Sequence, residues 1–178
     1  MAVQIGAKLD AGFDDPLGML KDCHRRIENF LRVLCQVAER APAGALSPEH
    51  RNAVETALLY FRTGGQRHTR DEEDSLFPRL EKAVTAADLE AIGALEKEHG
   101  EADELHAAVD RLFAAWIASG SLGQEDRVKL RAATDRLKDL YAGHIQVEES
   151  IVFPRAAAVL DAEAIAAMGS EFRARRSR

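Results

Sequence analysis

The stretch from His68 to Pro78 reads HTRDEEDSLFP, and 76 residues later the stretch from His144 to Pro154 reads HIQVEESIVFP. Each carries a histidine, a glutamate four positions on, a second glutamate beside it, and a closing Phe-Pro. On an α-helix positions i and i+4 share a face, so each copy sets an imidazole and a carboxylate one above the other. Proline lacks an amide hydrogen and restricts the residue before it. Each Phe-Pro is therefore expected to end or kink its helix, with Phe77 and Phe153 plugging the core at that point.

The surroundings of both copies are helical in pattern. Sustained apolar periodicity covers 16–40, 48–77, 86–119 and 124–153, separated by short stretches such as APAGALSP and ASGSLG. Ser47-Pro48-Glu49 offers a capping hydroxyl, a first-turn proline and an acidic residue in the order a helix start requires. Thr85 with Asp88 offers a similar start for the third helix, and Gly120 and Gly123 bracket the third turn. Four long amphipathic segments with short connections predict an all-α fold, an antiparallel up-down-up-down four-helix bundle with short terminal extensions.

With 178 residues, 46% hydrophobic and 30% charged, the chain can bury one sizeable core. A single domain over 1–178 is expected, its bundle spanning about 15–160 and a C-terminal extension occupying 161–178. The basic end FRARRSR is expected to be a frayed, solvated terminus. A formal charge of -6 and a pI near 5.5 argue against a nucleic-acid partner, which needs a basic stripe to displace counterions. No apolar run approaches a membrane span, and the first residues lack the pattern of a secretory leader; the expectation is a cytoplasmic protein with no membrane partner. Cys23 and Cys35 are not in a CxxC arrangement and are expected to be reduced, packed thiols.

The histidines fall on the apolar seams. The first seam reads Leu20, His24, Ile27, Leu31, Leu34, and the third reads Ile92, Leu95, His99, Ala102, His106, Val109, Phe113. The second runs Val54, Leu58, Phe61, Gly65, His68, Glu72, Leu76, and the fourth Leu130, Thr134, Leu137, Tyr141, His144, Glu148, Ile151. Every helix thus turns at least one imidazole inward. Counted from the turns, His24, His68, His99 and His144 all lie at a similar depth, roughly 30 Å at 1.5 Å per residue for the last two. In an antiparallel bundle they converge at one end. Several buried ionisable groups cost several kcal/mol each unless they pair or hold a cation. Glu72 and Glu148, projecting among four imidazoles, are placed to bridge two metals about 3.5 to 4 Å apart.

On His24, HTRDE with His68 and Glu72, EH with His99, and HIQVE with His144 and Glu148, the chain resembles the hemerythrin-like family, also called the HHE cation-binding domain. The resemblance covers Asp15 to Leu160 and implies a non-haem centre of two iron ions held by these six residues. The oxygen carriers of that family have a second histidine four residues after the third-helix ligand and an aspartate as last bridge. Asp103 and Glu148 stand at those places here, as in the bacterial branch.

Several neighbours keep open roles. Asp103 is read as an additional ligand, a hydrogen-bond partner of a ligand histidine, or a salt-bridging residue on the bundle rim. His106, about 10 Å along the axis from His99, is a core histidine or an outer partner of the centre. Tyr141 either fills the core or hydrogen-bonds a bound ligand. Glu73 and Glu149 are outward-facing or support the ligands, and His50, off the seam, is a surface residue. Gly64 and Gly65 serve either close helix packing or a bulge that aims His68.

Imidazoles with bridging carboxylates suit iron, with manganese and zinc as lesser alternatives, and the lack of thiolate ligands speaks against copper(I) and iron–sulfur clusters. The expected function is binding of a small diatomic ligand, oxygen or nitric oxide, in storage, sensing or stress protection. The alternatives are an enzyme that reduces nitric oxide or peroxide or donates iron for repair, and a metal-responsive interaction module.

Overall fold

Asp15 opens the first helix by accepting the Gly18 amide at 2.9 Å, with Pro16 in the first turn; α1 runs Pro16–Arg40. Ser47 opens α2 in the same way, its hydroxyl accepting the His50 amide at 3.1 Å. The computed structural model describes residues 10–83 and 86–177, so the expected helix start at Thr85 lies outside the described residues. Helix α2 covers 48–80, α3 Ala86–Ser119, α4 124–159 and α5 Ala162–Arg176. Gly120 closes α3 with φ of 73°, the left-handed conformation that glycine adopts without a Cβ penalty. The described residues are all-helical apart from short connections, and no helix among them is long and apolar enough to cross a membrane.

Side-chain register shows neighbouring helices running antiparallel. Arg131 of α4 donates to the carbonyls of Ala38 and Glu39 at the end of α1, while His24 near the start of α1 meets Glu149 late in α4. Between α3 and α4, Glu101 pairs with Arg136 and His99 meets His144. Between α2 and α3, Arg62 pairs with Asp110, and Glu73 with His99. The arginine contacts do more than set register, because the last carbonyls of a helix have no partner within it. Arg127 likewise donates to the Ala41 carbonyl at 2.9 Å and lies over Trp116, whose indole N–H reaches the Gly44 carbonyl at 2.8 Å.

The interior is two apolar cores with a polar layer between them. One core, toward the α1–α2 connection, includes Leu31, Leu34, Val54, Phe61, Val109, Phe113, Trp116 and Leu137; the other includes Leu20, Leu76, Phe77, Leu95, Phe153, Met168 and Phe172. The His and Glu side chains of the seams occupy the level between.

Of the two outcomes expected at each Phe-Pro, an end or a kink, neither helix ends there. Helix α2 continues to Leu80 and α4 to Val159 because each contains a π-helical turn just before the proline, Glu72–Leu76 and Glu148–Val152. The Phe77 amide donates to the Glu72 carbonyl and the Phe153 amide to the Glu148 carbonyl, five residues back. The widened turn makes room where a proline ring would otherwise meet the preceding turn. One extra residue per turn also shifts the phase of everything downstream. Ile151, placed on the seam by regular periodicity, is half exposed, and Val152 and Phe153 are buried instead. A third π-helical turn, Phe61–Gly65, directly precedes the segment bearing His68. Its Gly64 lies under the Tyr60 ring, where a Cβ would come within 2.7 Å of the ring carbons.

Among the described residues the basic end is helical as far as Arg176 rather than frayed. Helix α5, capped by Asp161, packs Met168 and Phe172 into the second core. Gly169 lets it cross the segment at Phe13, whose carbonyl oxygen would lie 1.8 Å from a Cβ at that position. Arg175 and Arg176 both donate to Asp71, a residue with no solvent exposure, at 2.9 and 2.7 Å. Glu171 pairs with Arg79. The positive charges that suggested a solvated end are thus spent on an acid inside α2.

Candidate metal centre

Helix α1 supplies His24, α2 His68 and Glu72, α3 His99, and α4 His144 and Glu148, and no one of these side chains is more than 7% exposed. Their donor atoms fall into two overlapping groups: His24, His68, Glu72 and Glu148, and Glu72, His99, His144 and Glu148. Within each group the atoms lie within 4.8 Å of one another, and both glutamates belong to both groups. The Glu72 carboxylate stands 3.3 Å from His68 Nε2 through one oxygen and 3.4 Å from His99 Nε2 through the other. Glu148 does the same for His144 at 3.3 Å and His24 at 3.0 Å.

The outer faces of the imidazoles define which nitrogen faces inward with a lone pair. Nδ1 of His24 meets Glu149 at 2.8 Å, Nδ1 of His99 meets Glu73 at 2.9 Å, and Nδ1 of His144 meets Glu98 at 2.8 Å. An ionised carboxylate only accepts, so in each pair Nδ1 carries the hydrogen, and in the neutral, metal-binding form of the ring Nε2 presents its lone pair to the interior. The Nε2 atoms of His99 and His144 face each other at 3.1 Å, lone pair to lone pair when both rings are neutral. Both oxygens of Glu72, both of Glu148 and Nε2 of His24 are buried without a hydrogen-bond partner among the described residues. Acceptors converging on acceptors are repulsive unless a cation lies among them. The donor set fits metal ions.

With no cation among them, the two carboxylates differ sharply. Burial, followed by the Glu148 charge, pushes the Glu72 carboxyl well above the usual carboxylate range. Burial would raise Glu148 as well, but His144 and His24 outweigh it and hold that carboxyl low. His68 is driven well below the ordinary imidazole value by burial and by His24. Two carboxylates so close cannot both ionise comfortably without compensating positive charge.

The aromatic floor follows from the π-helical turns. Phe153 stacks on His24 with centroids 5.4 Å apart and planes 13° from parallel, and Phe77 stacks on His99 at 6.2 Å and 10°. Cys23 is buried and Cys35 half-buried, both free thiols.

Of the residues with open roles, Glu73 and Glu149 accept from the buried histidines His99 and His24 rather than facing away from them. Glu98 accepts from His144 in the same way, and sequence reasoning passed over it; the signal was an acid directly before His99. Asp103 is exposed and belongs to neither donor group. Together with Gly65, Thr69, His106 and Tyr141 it lines a groove of about 380 Å³ between α2 and α3. His50 is half-buried rather than exposed, in the first turn of α2 at the far end of the bundle.

His106 is half-buried, on the wall of this groove, and is held by Tyr141, whose hydroxyl lies 3.1 Å from Nε2. Burial pushes its imidazole down to about 4, against a weaker upward pull from Asp110. A group depressed in the folded state takes up its proton first in the unfolded chain, near 6.5. Its contribution to stability is complete above that pH and is lost as pH falls from about 6.5 through 4. In chelator-treated protein, His106→Leu is expected to flatten the rise of unfolding free energy with pH over that window by about one proton. Urea melts at a series of pH values measure it, and an unchanged slope would contradict the assignment.

Comparison with known proteins agrees with this geometry. An uncharacterized protein of Haemophilus influenzae is 29% identical over 167 residues, which cover 93% of this chain and 92% of the relative. Residues 15–156 match the model of the hemerythrin HHE cation binding domain. That span takes in α1, α2, α3, all but the last three residues of α4 and the whole His and Glu layer, and the chain belongs to the hemerythrin HHE cation-binding domain family.

Proposed function

We propose that His24, His68, Glu72, His99, His144 and Glu148 hold two iron ions bridged by the two glutamates, and that the centre binds a small diatomic ligand, oxygen or nitric oxide. The observation that carries this reading is the overlap of the two donor groups, each with two imidazoles and both sharing Glu72 and Glu148. Two imidazoles and two carboxylate oxygens per metal leave coordination positions open for an exogenous ligand. Iron, when bound, supplies the affinity for diatomic molecules and the one-electron chemistry. Four neutral imidazoles with two carboxylates give little anionic charge to support high oxidation states, which favours reversible binding over attack on strong bonds.

The chain's own residues shape the surroundings. Glu73, Glu98 and Glu149 orient three imidazoles, and Phe77 and Phe153 shield the layer from the α5 side. Tyr141, one helical turn before His144, lines the groove with Thr69, Asp103 and His106, and this side is the proposed approach for a small molecule. The Tyr141 hydroxyl is kept protonated by burial.

Anaerobic loading of metal-free protein followed by metal analysis tests the reading. Two iron ions per chain are expected, with a carboxylate-bridged charge-transfer band on oxidation and a spectral change on titration with oxygen or nitric oxide. His24→Ala, His68→Ala, His99→Ala and His144→Ala should each lower occupancy, and His50→Ala should not. Saturation at one metal, selective retention of zinc or manganese over iron, or loss in the His50 variant equal to that at His68 would reject it.

A further inference from the structure

The centre has an approximate internal twofold that exchanges α1 with α3 and α2 with α4. His24 maps onto His99, His68 onto His144, and Glu72 onto Glu148. The correspondence extends outward: Phe153 stacks on His24 as Phe77 stacks on His99, and the π-helical turn Glu72–Leu76 matches Glu148–Val152. Glu73 of α2 reaches His99 of α3 at 2.9 Å, and Glu149 of α4 reaches His24 of α1 at 2.8 Å.

One relation is broken. Glu98, the residue before His99, reaches across to Nδ1 of His144 at 2.8 Å. Its counterpart, the residue before His24, is Cys23, a buried thiol whose sulfur receives Arg26 at 3.7 Å. Nδ1 of His68 is accordingly buried with no hydrogen-bond partner among the described residues. An imidazole that donates its outer N–H to a carboxylate is the better metal ligand, because the carboxylate draws on that proton and raises the basicity of the inner nitrogen. His99 and His144 both have this support, and on the other side His24 alone has it.

We propose that the two halves of the centre are unequal by construction: the subsite of His99 and His144 binds its metal more tightly, and the subsite of His24 and His68, where Cys23 replaces the supporting carboxylate, is the weaker and more readily emptied one. This rests on the two-metal reading above. The weaker subsite is where metal exchange begins, and Glu98, Glu73 and Glu149 act as positioning residues through the histidines they hold.

Repulsion between two cations separates the binding steps of any two-metal site, so the test uses variants that move the separation in opposite directions. Metal-free protein is titrated with divalent cobalt and the two steps are followed by visible absorption. Glu98 is 40% exposed at its side chain and Glu149 38%, so Ala at either position opens no core cavity. Glu98→Ala should weaken the first step by about 10–100-fold and narrow the gap, whereas Glu149→Ala should weaken the second step by a similar factor and widen it. His68→Ala should abolish the second step and keep the first. Both glutamate variants moving the gap the same way, neither moving it, or His68→Ala removing the tighter step would overturn the proposal. Uptake of fewer than two cobalt ions at saturation by the unmodified chain would instead reject the two-metal reading itself.

Discussion

Replacing Glu72 or Glu148 by Gln will reduce the metal held at saturation from two ions per chain to one or none. Each carboxylate faces imidazole nitrogens of both donor groups, one oxygen to each. A bridge between two cations uses negative charge on both oxygens; an amide brings one neutral oxygen and an NH₂ that repels a cation. The side chain keeps its size, so the change is one of charge and donor chemistry rather than packing. Metal binding to the native state alone stabilises it by about 4 kcal/mol at a free concentration a thousandfold above the dissociation constant. The variants should therefore lose most of the difference in melting temperature between metal-loaded and metal-free protein. Glu73→Gln and Glu149→Gln are the informative comparison. Their amide oxygens can still accept from His99 and His24, so they should keep two metals at saturation and show only weakened affinity. Full loading in either bridging variant, or equal loss in Glu73→Gln, would contradict the bridging role.

Asp71→Ala is expected to destabilise the chain by about 3–5 kcal/mol, the usual cost of removing one partner from a buried ion pair. Asp71 is wholly enclosed, and its two oxygens receive Arg175 and Arg176 of α5 separately. Without it, two guanidiniums each about one-fifth exposed lose a buried acceptor, and α5 loses one of its polar anchors to α2, the Glu171–Arg79 pair remaining. For a chain of this length that corresponds to roughly a 10 °C fall in melting temperature. Simultaneous replacement of Arg175 and Arg176 by Ala in the Asp71→Ala background should add little further loss, since the interaction is already gone. Thermal melts and urea titrations of the four proteins form the cycle. A loss under 1 kcal/mol in Asp71→Ala would show that α5 is held without this ion pair.

The bundle and its polar layer were legible in the sequence because helical periodicity is a local property. His24, His68, His99 and His144 recur at seam spacings, and their distances from the turns place them at one depth whatever the details of packing. The two HxxxE copies announced the pair of central carboxylates for the same reason. What was misread depended on the local geometry of the turns. The phase shift that exposes Ile151 and buries Val152 comes from a π-helical turn, and a hydropathy pattern assumes one constant angle per residue. The prolines signalled a disturbance, but whether a helix ends or widens at a proline is decided by the downstream packing of Phe77, Leu80, Phe153 and Ala156 against the rest of the core.

Sequence alone determined the all-α class, the four bundle helices and the six inward-facing histidines and glutamates, since each follows from the side chains and a repeat of 3.6 residues. Only the tertiary structure decided which carboxylate supports which imidazole. Glu73 serves His99, Glu98 serves His144 and Glu149 serves His24, in each case across a helix interface whose rotation and height no single helix encodes. The same holds for α5, whose arginines look like a solvated tail until Asp71, about one hundred residues away in the chain, is placed beside them. Long-range pairings of this kind arise from the simultaneous packing of all the helices, which leaves no periodic trace in the chain that makes them.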